Sequence, residues 1–148
     1  MNILESLDYL KDQIETVTAV SDVALSPPEI SPYIYTKRNF PAVNVWDNGY
    51  QGIGENTPLQ SCLRRYTINV ILFVKNQQDE LLENAYREIL TLERQINNVI
   101  ADLSAQGDGT DFTLKSQSSS GVRALQQENA SFYLLSRITT YIIDVVEV

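Results

Sequence analysis

Apolar residues near the start of the chain recur at helical spacing: Ile3, Leu7, Leu10, Ile14 and Val17 are separated by four, three, four and three positions. That rhythm puts them on one side of an α-helix, with Asp8, Asp12 and Glu15 on the other. Asn2, followed three residues later by Glu5, reads as a capping box at its start. Pro27, Pro28, Pro32 and Pro41 then interrupt any regular pattern, because proline cannot donate to a helix or a central ladder. Residues 26–41 read as an extended connection, with 33–37 as an edge-strand piece. Residues 41–46 read as a short strand ending at Asp47-Asn48-Gly49, a sequence suited to a type I′ turn, with 50–60 following as a loop.

Strict alternation takes over at 62–75. Tyr66, Ile68, Val70, Leu72 and Val74 make one wholly apolar strand face, and Arg65, Thr67, Asn69, Ile71, Phe73 and Lys75 a mixed one. The helical rhythm returns over 79–103 with Leu82, Ala85, Ile89, Leu92, Ile96, Val99 and Leu103. Asp79 and Glu80 fall at its N-terminal turn, where the helix dipole favours negative charge, and Glu83 and Arg87 form an i, i+4 pair. Residues 112–115 read as a short strand, 116–131 as a polar loop or protruding hairpin, and 132–146 as a long final strand rich in Tyr, Ile, Val and Thr. This order predicts one α+β domain spanning 1–148, with a mostly antiparallel sheet and two main helices packed on one face.

The final strand is apolar on both faces. Phe132, Leu134, Ile138, Ile142 and Val146 share one face; Tyr133, Leu135, Tyr141, Ile143 and Val145 share the other. Two helices cover one face of such a sheet, so part of the second needs other cover: the long loops, another subunit, or both.

Composition removes most chemistry from consideration. There is no histidine, so the commonest general base and metal ligand is missing. One cysteine, Cys62, excludes an internal disulfide and a thiolate metal cluster, and reads as a small hydrophobe. Gly49, Gly52 and Gly54 reverse the dinucleotide-binding spacing, and the triple serine at 118–120 has no histidine to activate it. Asp108 and Asp111 lack the further oxygen ligands of a calcium loop. No catalytic residue, metal or cofactor is therefore expected, and the chain is read as not an enzyme. The N-terminus has no targeting pattern, and no apolar run is long enough to span a bilayer. Nineteen acidic residues against eleven basic ones give a net charge of -8, which disfavours non-specific nucleic-acid binding. The acidity concentrates in the two helical segments, so the predicted subunit has an acidic helix side and a neutral β side.

Four features occur together: the acidic amphipathic first helix, the segment Phe40-Pro41-Ala42-Val43-Asn44-Val45-Trp46, the strand 65–75 running directly into a long helix, and a β-rich close. In this combination the chain resembles the tail terminator, or tail completion and neck, proteins of tailed bacteriophages. The resemblance implies a virion protein, made in the host cytoplasm, that forms a homo-oligomeric ring, commonly a hexamer. Such a ring caps the tail tube at its head-proximal end and joins it to the head connector, and DNA passes through the lumen without specific binding.

On that reading the work is done by surfaces. Tyr133, Leu135, Tyr141 and Ile143 on the second face of the final strand are the expected oligomer contacts, together with Gly121, Val122, Arg123 and Leu125. Arg64 and Arg65 are expected to pair with acidic helix residues of a neighbour. A Tyr141→Asp chain should then remain a folded monomer. The alternatives are another phage joint protein, a head–tail adaptor or a tube subunit, and, from a different class, a small enzyme or ligand-binding domain built on Asp, Tyr and Arg.

Overall fold

In a computed structural model, residues 2–28, 38–53, 62–77, 81–105, 112–126 and 132–147 are described, apart from a few side chains at element ends. Helix α1 spans Ile3–Glu15 and α2 spans Leu82–Ala105. The strands are β1 (Asp22–Ala24), β2 (Ala42–Ile53), β3 (Cys62–Gln77), β4 (Phe112–Ser119), β5 (Arg123–Gln126) and β6 (Phe132–Glu147). They form one six-stranded sheet in the order β1-β2-β3-β6-β4, with β5 also pairing with β6. Among the described residues only the β1–β2 pair is parallel, and the other pairs are antiparallel. Both helices pack on one face, as the α+β reading expects.

The start of α1 is closed by the predicted capping box: Glu5 N–H donates to Asn2 Oδ1 (2.8 Å) and Asn2 N–H to Glu5 Oε2 (3.1 Å). Its apolar stripe buries Leu10 and Ile14 completely and Ile3 and Leu7 partly, over β1 and β2. Helix α2 lies over β3, β4 and β6 and buries Ala85, Ile89, Leu92, Ile96 and Ile100. Leu82, assigned to that stripe, is instead half exposed, because it opens the helix beyond the cover of the sheet. The predicted start at Asp79 and Glu80, the connection 33–37, the turn at 107–111 and the side chains of Cys62 and Leu103 lie outside the described residues.

Three expectations are corrected. Asp47-Asn48-Gly49 does not end a strand. Asp47 pairs with Ile68 and Tyr50 with Tyr66, so Asn48 and Gly49 together oppose the single Thr67 in a β-bulge. Gly49 supplies the positive φ of +109° and donates its N–H to Asp47 Oδ1 at 2.8 Å. The strand then continues to Ile53, because β3 is sixteen residues long and offers a partner throughout. The stretch after residue 115 is not simply a loop: β4 runs to Ser119 with Lys115 as an extra bulge residue, and β5 follows along the same edge of β6. A further strand, the short β1, precedes β2 where the reading placed none, because Thr16, Val17, Thr18 and Val20, which end the helix, conceal its start. It is held by Arg38, whose Nε donates to Asp22 Oδ2 (2.8 Å) and whose Nη2 donates to the Val43 carbonyl (3.1 Å). Arg38 also donates to Asn44, whose own amide reaches the Ser26 carbonyl (3.1 Å).

Candidate assembly surface

The cross-strand register decides which face of β6 is free. Tyr66 opposes Ile143, Ile68 opposes Tyr141 and Val74 opposes Leu135, and directly opposed residues share a face. The wholly apolar face of β3 lies under the helices, so the odd-numbered residues of β6 lie there with it. Leu135, Tyr141, Ile143 and Val145 are therefore core residues, each 1–2% exposed. This overturns the assignment of Leu135, Tyr141 and Ile143 to a subunit surface. Tyr133, at the end of that row, is half buried.

The even-numbered face of β6 looks outward, away from both helices. At one end it carries a second small core: Ala42, Ile71, Phe73, Phe132 and Leu134 are buried, with Phe40, Trp46 and Leu125 packed around them. Lys75 Nζ stands 4.3 Å from the centroid of the Phe132 ring. At the other end the face is open. Ile138 is 36% and Val146 38% exposed, with half-buried Ile142 between them and Thr67, Asn69, Thr140, Ser116 and Ser118 around. These apolar residues alternate along β6 with Thr140 and the ion-paired Asp144, a mixed surface of the composition that protein contacts use.

Asp144 sits within this face at 6% exposure and is held by a forked pair, Arg65 Nε to Oδ1 (2.8 Å) and Arg65 Nη2 to Oδ2 (3.1 Å). Hydrogen bonding to this carboxylate holds the Arg65 guanidinium above its ordinary value. Lys115 Nζ adds a second cation at 3.9 Å from Oδ2. Arg65 is thus partnered across strands inside its own chain, which corrects the expectation that it pairs with a neighbour's helix. Arg64 lies on the helix side, its guanidinium 4.6 Å above the Tyr50 ring.

The predicted segment 121–125 divides between two surfaces. Arg123 opposes Ser136 and Leu125 opposes Leu134, so both belong to the outer face, with Arg123 exposed and Leu125 in the second core. Gly121 is exposed, and half-buried Val122 packs on the main core. Val122 and Ala124 also line a shallow apolar groove of about 330 Å³ with Leu82, Tyr86 and Leu135. The reading of the sequence missed Ile138, Ile142, Val146 and Lys115 as surface. Both faces of 132–146 hold four or five apolar residues and one charged residue, so pattern alone does not separate them.

Beneath α2 lies a polar cluster that the sequence pattern does not announce. Glu93 receives the Ser119 hydroxyl at 2.8 Å and the Thr139 hydroxyl at 3.5 Å through Oε1. Arg137 Nε approaches Glu93 Oε2 to 2.8 Å, an ion-pair contact whose N–H is not aligned as a hydrogen bond. Tyr141 donates its phenol hydrogen to Asn97. Burial first, and then the nearby Glu93 charge, push the Tyr141 phenol well above its ordinary value near 10. A raised phenol pKa means that the native state keeps a proton the unfolded chain releases. The stabilisation is complete below about pH 10 and is lost as pH rises toward the native value. Urea titrations from pH 8 to 11 should show stability falling more steeply for the parent than for Tyr141→Phe; parallel curves would contradict this.

Among the described residues no group of three or more acidic or cysteine side chains is placed to hold a metal. No helix among the described residues is long and apolar enough to cross a membrane.

No family model matches the chain, and no curated protein matches it. Among solved structures it is similar to a chain of the "virion of native gene transfer agent (GTA) particle", with 8% identical residues, 91% of each chain covered and a TM-score of 0.39. A likeness of that degree carries no weight for function.

Proposed function

We propose that this chain is a structural subunit of a phage-like virion that works by self-assembly into a ring, and specifically a tail terminator. It caps the tail tube, joins it to the head connector and lets DNA pass without binding it; no catalysis is involved. The observation that carries self-assembly is the outer sheet face. Among the described residues no helix lies over the face of β6 that carries Ile138 and Ile142, and a neighbouring subunit supplies the cover. The narrower terminator assignment is supported by the order of elements: an acidic capped helix, the Phe40–Trp46 strand entry, β3 leading into α2, and a β-rich close.

The test is light scattering on size-exclusion fractions together with negative-stain imaging, alone and with tail tubes. A terminator gives closed rings of one size that bind tube ends. Ile138→Asp, at an exposed position, should keep the fold and lose the rings. Long tubes formed by the pure protein would assign it as a tube subunit instead, and a monomer at all concentrations would overturn the proposal.

A further inference from the structure

The two outer sides of the subunit carry opposite charge. On the sheet side, among the described residues, Arg38, Arg65, Lys75, Lys115 and Arg123 stand against Asp22 and Asp144, a net of three positive charges, with Arg38 held by Asp22. With Arg65 absorbed by Asp144, the excess rests on Lys75, Lys115 and Arg123, all exposed. On the helix side α1 presents Glu5, Asp8, Asp12 and Glu15, all exposed, against Lys11 alone, which reaches Glu15 at 3.8 Å. The β side is therefore basic, not neutral as the count along the chain implied. Leu4, Asp8, Asp12 and Glu15 follow one another at four, four and three residues and form one ridge, on which Leu4 is 61% exposed.

We propose that the outer sheet face of one copy seats helix α1 of the next copy. Leu4 packs beside Ile138, near Arg123, and the carboxylates that follow it run along β6 toward Ile142 and Lys115. The dimensions agree: the ridge from Leu4 to Glu15 is about 17 Å long. Lys115 and Arg123 are spaced about 20 Å along β6, a difference that long cationic side chains span. The same charges exclude the symmetric alternatives, since sheet on sheet sets cation against cation and α1 on α1 sets acid against acid. Only the unlike pairing is favourable, and repetition of an unlike contact builds a ring where the rotation between neighbours closes. A DNA backbone fits this face less well, because three separate cations flank an apolar strip that phosphates do not satisfy.

This contact rests on the self-assembly reading, and the experiment separates the two. Two charge-reversed chains are made, Lys115→Glu with Arg123→Glu, and Asp8→Lys with Asp12→Lys, and circular dichroism checks that each folds. Light scattering at low salt should show each alone needing at least about tenfold more protein to assemble than the parent, while their equimolar mixture recovers the parent mass with both chains present. If the parent assembles and either reversed chain assembles as readily, or if the folded mixture stays monomeric, this contact is wrong and the assembly reading stands. If the parent never assembles, both fall. Reversal at Lys115 and Arg123 that changes only a DNA gel shift, with assembly intact, also overturns it.

Discussion

A Tyr141→Asp chain is expected not to reach the native state. The sequence pattern assigned Tyr141 to an exposed subunit contact and expected a folded monomer; its 1% exposure beneath α2 reverses that expectation. Loss of a buried aromatic side chain alone costs about 3–5 kcal/mol. The new carboxylate would stand in the field of Glu93, whose charge already acts on the phenol, and would bury a second negative charge without a cation of its own. Together these approach the whole stability of a domain this size, about 5–15 kcal/mol. Far-ultraviolet circular dichroism and urea titration should show no cooperative transition. Tyr141→Phe, which loses the phenol's hydrogen bonding with Asn97 and Thr139 but keeps the ring, should stay folded at a cost of about 1 kcal/mol. A Tyr141→Asp chain that unfolds cooperatively at the parent midpoint would remove Tyr141 from the core.

Arg137→Met should destabilise the fold by about 2–3 kcal/mol, because it leaves the Glu93 carboxylate with hydroxyl donors but no cation. The estimate sits at the low end for buried pairs because the two side chains are 23% and 14% exposed. The double change Glu93→Leu with Arg137→Met should recover most of the loss. It removes both charges, and Ser119 and Thr139 keep the hydrogen bond between their hydroxyls at 2.9 Å. Shifts in the urea midpoint at constant slope measure both effects. Additive losses in the double variant would mean that the two side chains do not act as a pair. The cluster ties α2 to β4 and β6 at one register, a position that apolar packing alone leaves free to slide.

The α+β class, the two amphipathic helices, the capping box and the long alternating strand were legible in the chain because each is a local periodicity. A repeat of three and four residues, or of two, is enforced by backbone geometry within a few turns. Turn chemistry was less reliable. Asn48-Gly49 has the residues of a hairpin turn, yet the conformational freedom that permits the turn serves a bulge equally well once β3 extends far enough to keep pairing. The strand at 112–115 was legible, but its extension to Ser119 was obscured because a serine-rich edge strand buries little and carries almost no alternation, and β5, four residues long, is too short to show a period.

The sequence by itself determined that a two-faced final strand exists and that charge is unevenly distributed along the chain. Which face of that strand is core, and which is surface, was decided only by tertiary pairing. Tyr66 opposes Ile143, residues about half the chain apart, and a shift of one residue would exchange the two faces entirely. That same register placed Arg65 on Asp144, moved Tyr141 beneath α2, and gathered Lys75, Lys115 and Arg123 onto one basic face opposite the acidic α1. Local periodicity sets the kind of element; long-range register, invisible to local pattern, sets which side chains meet solvent.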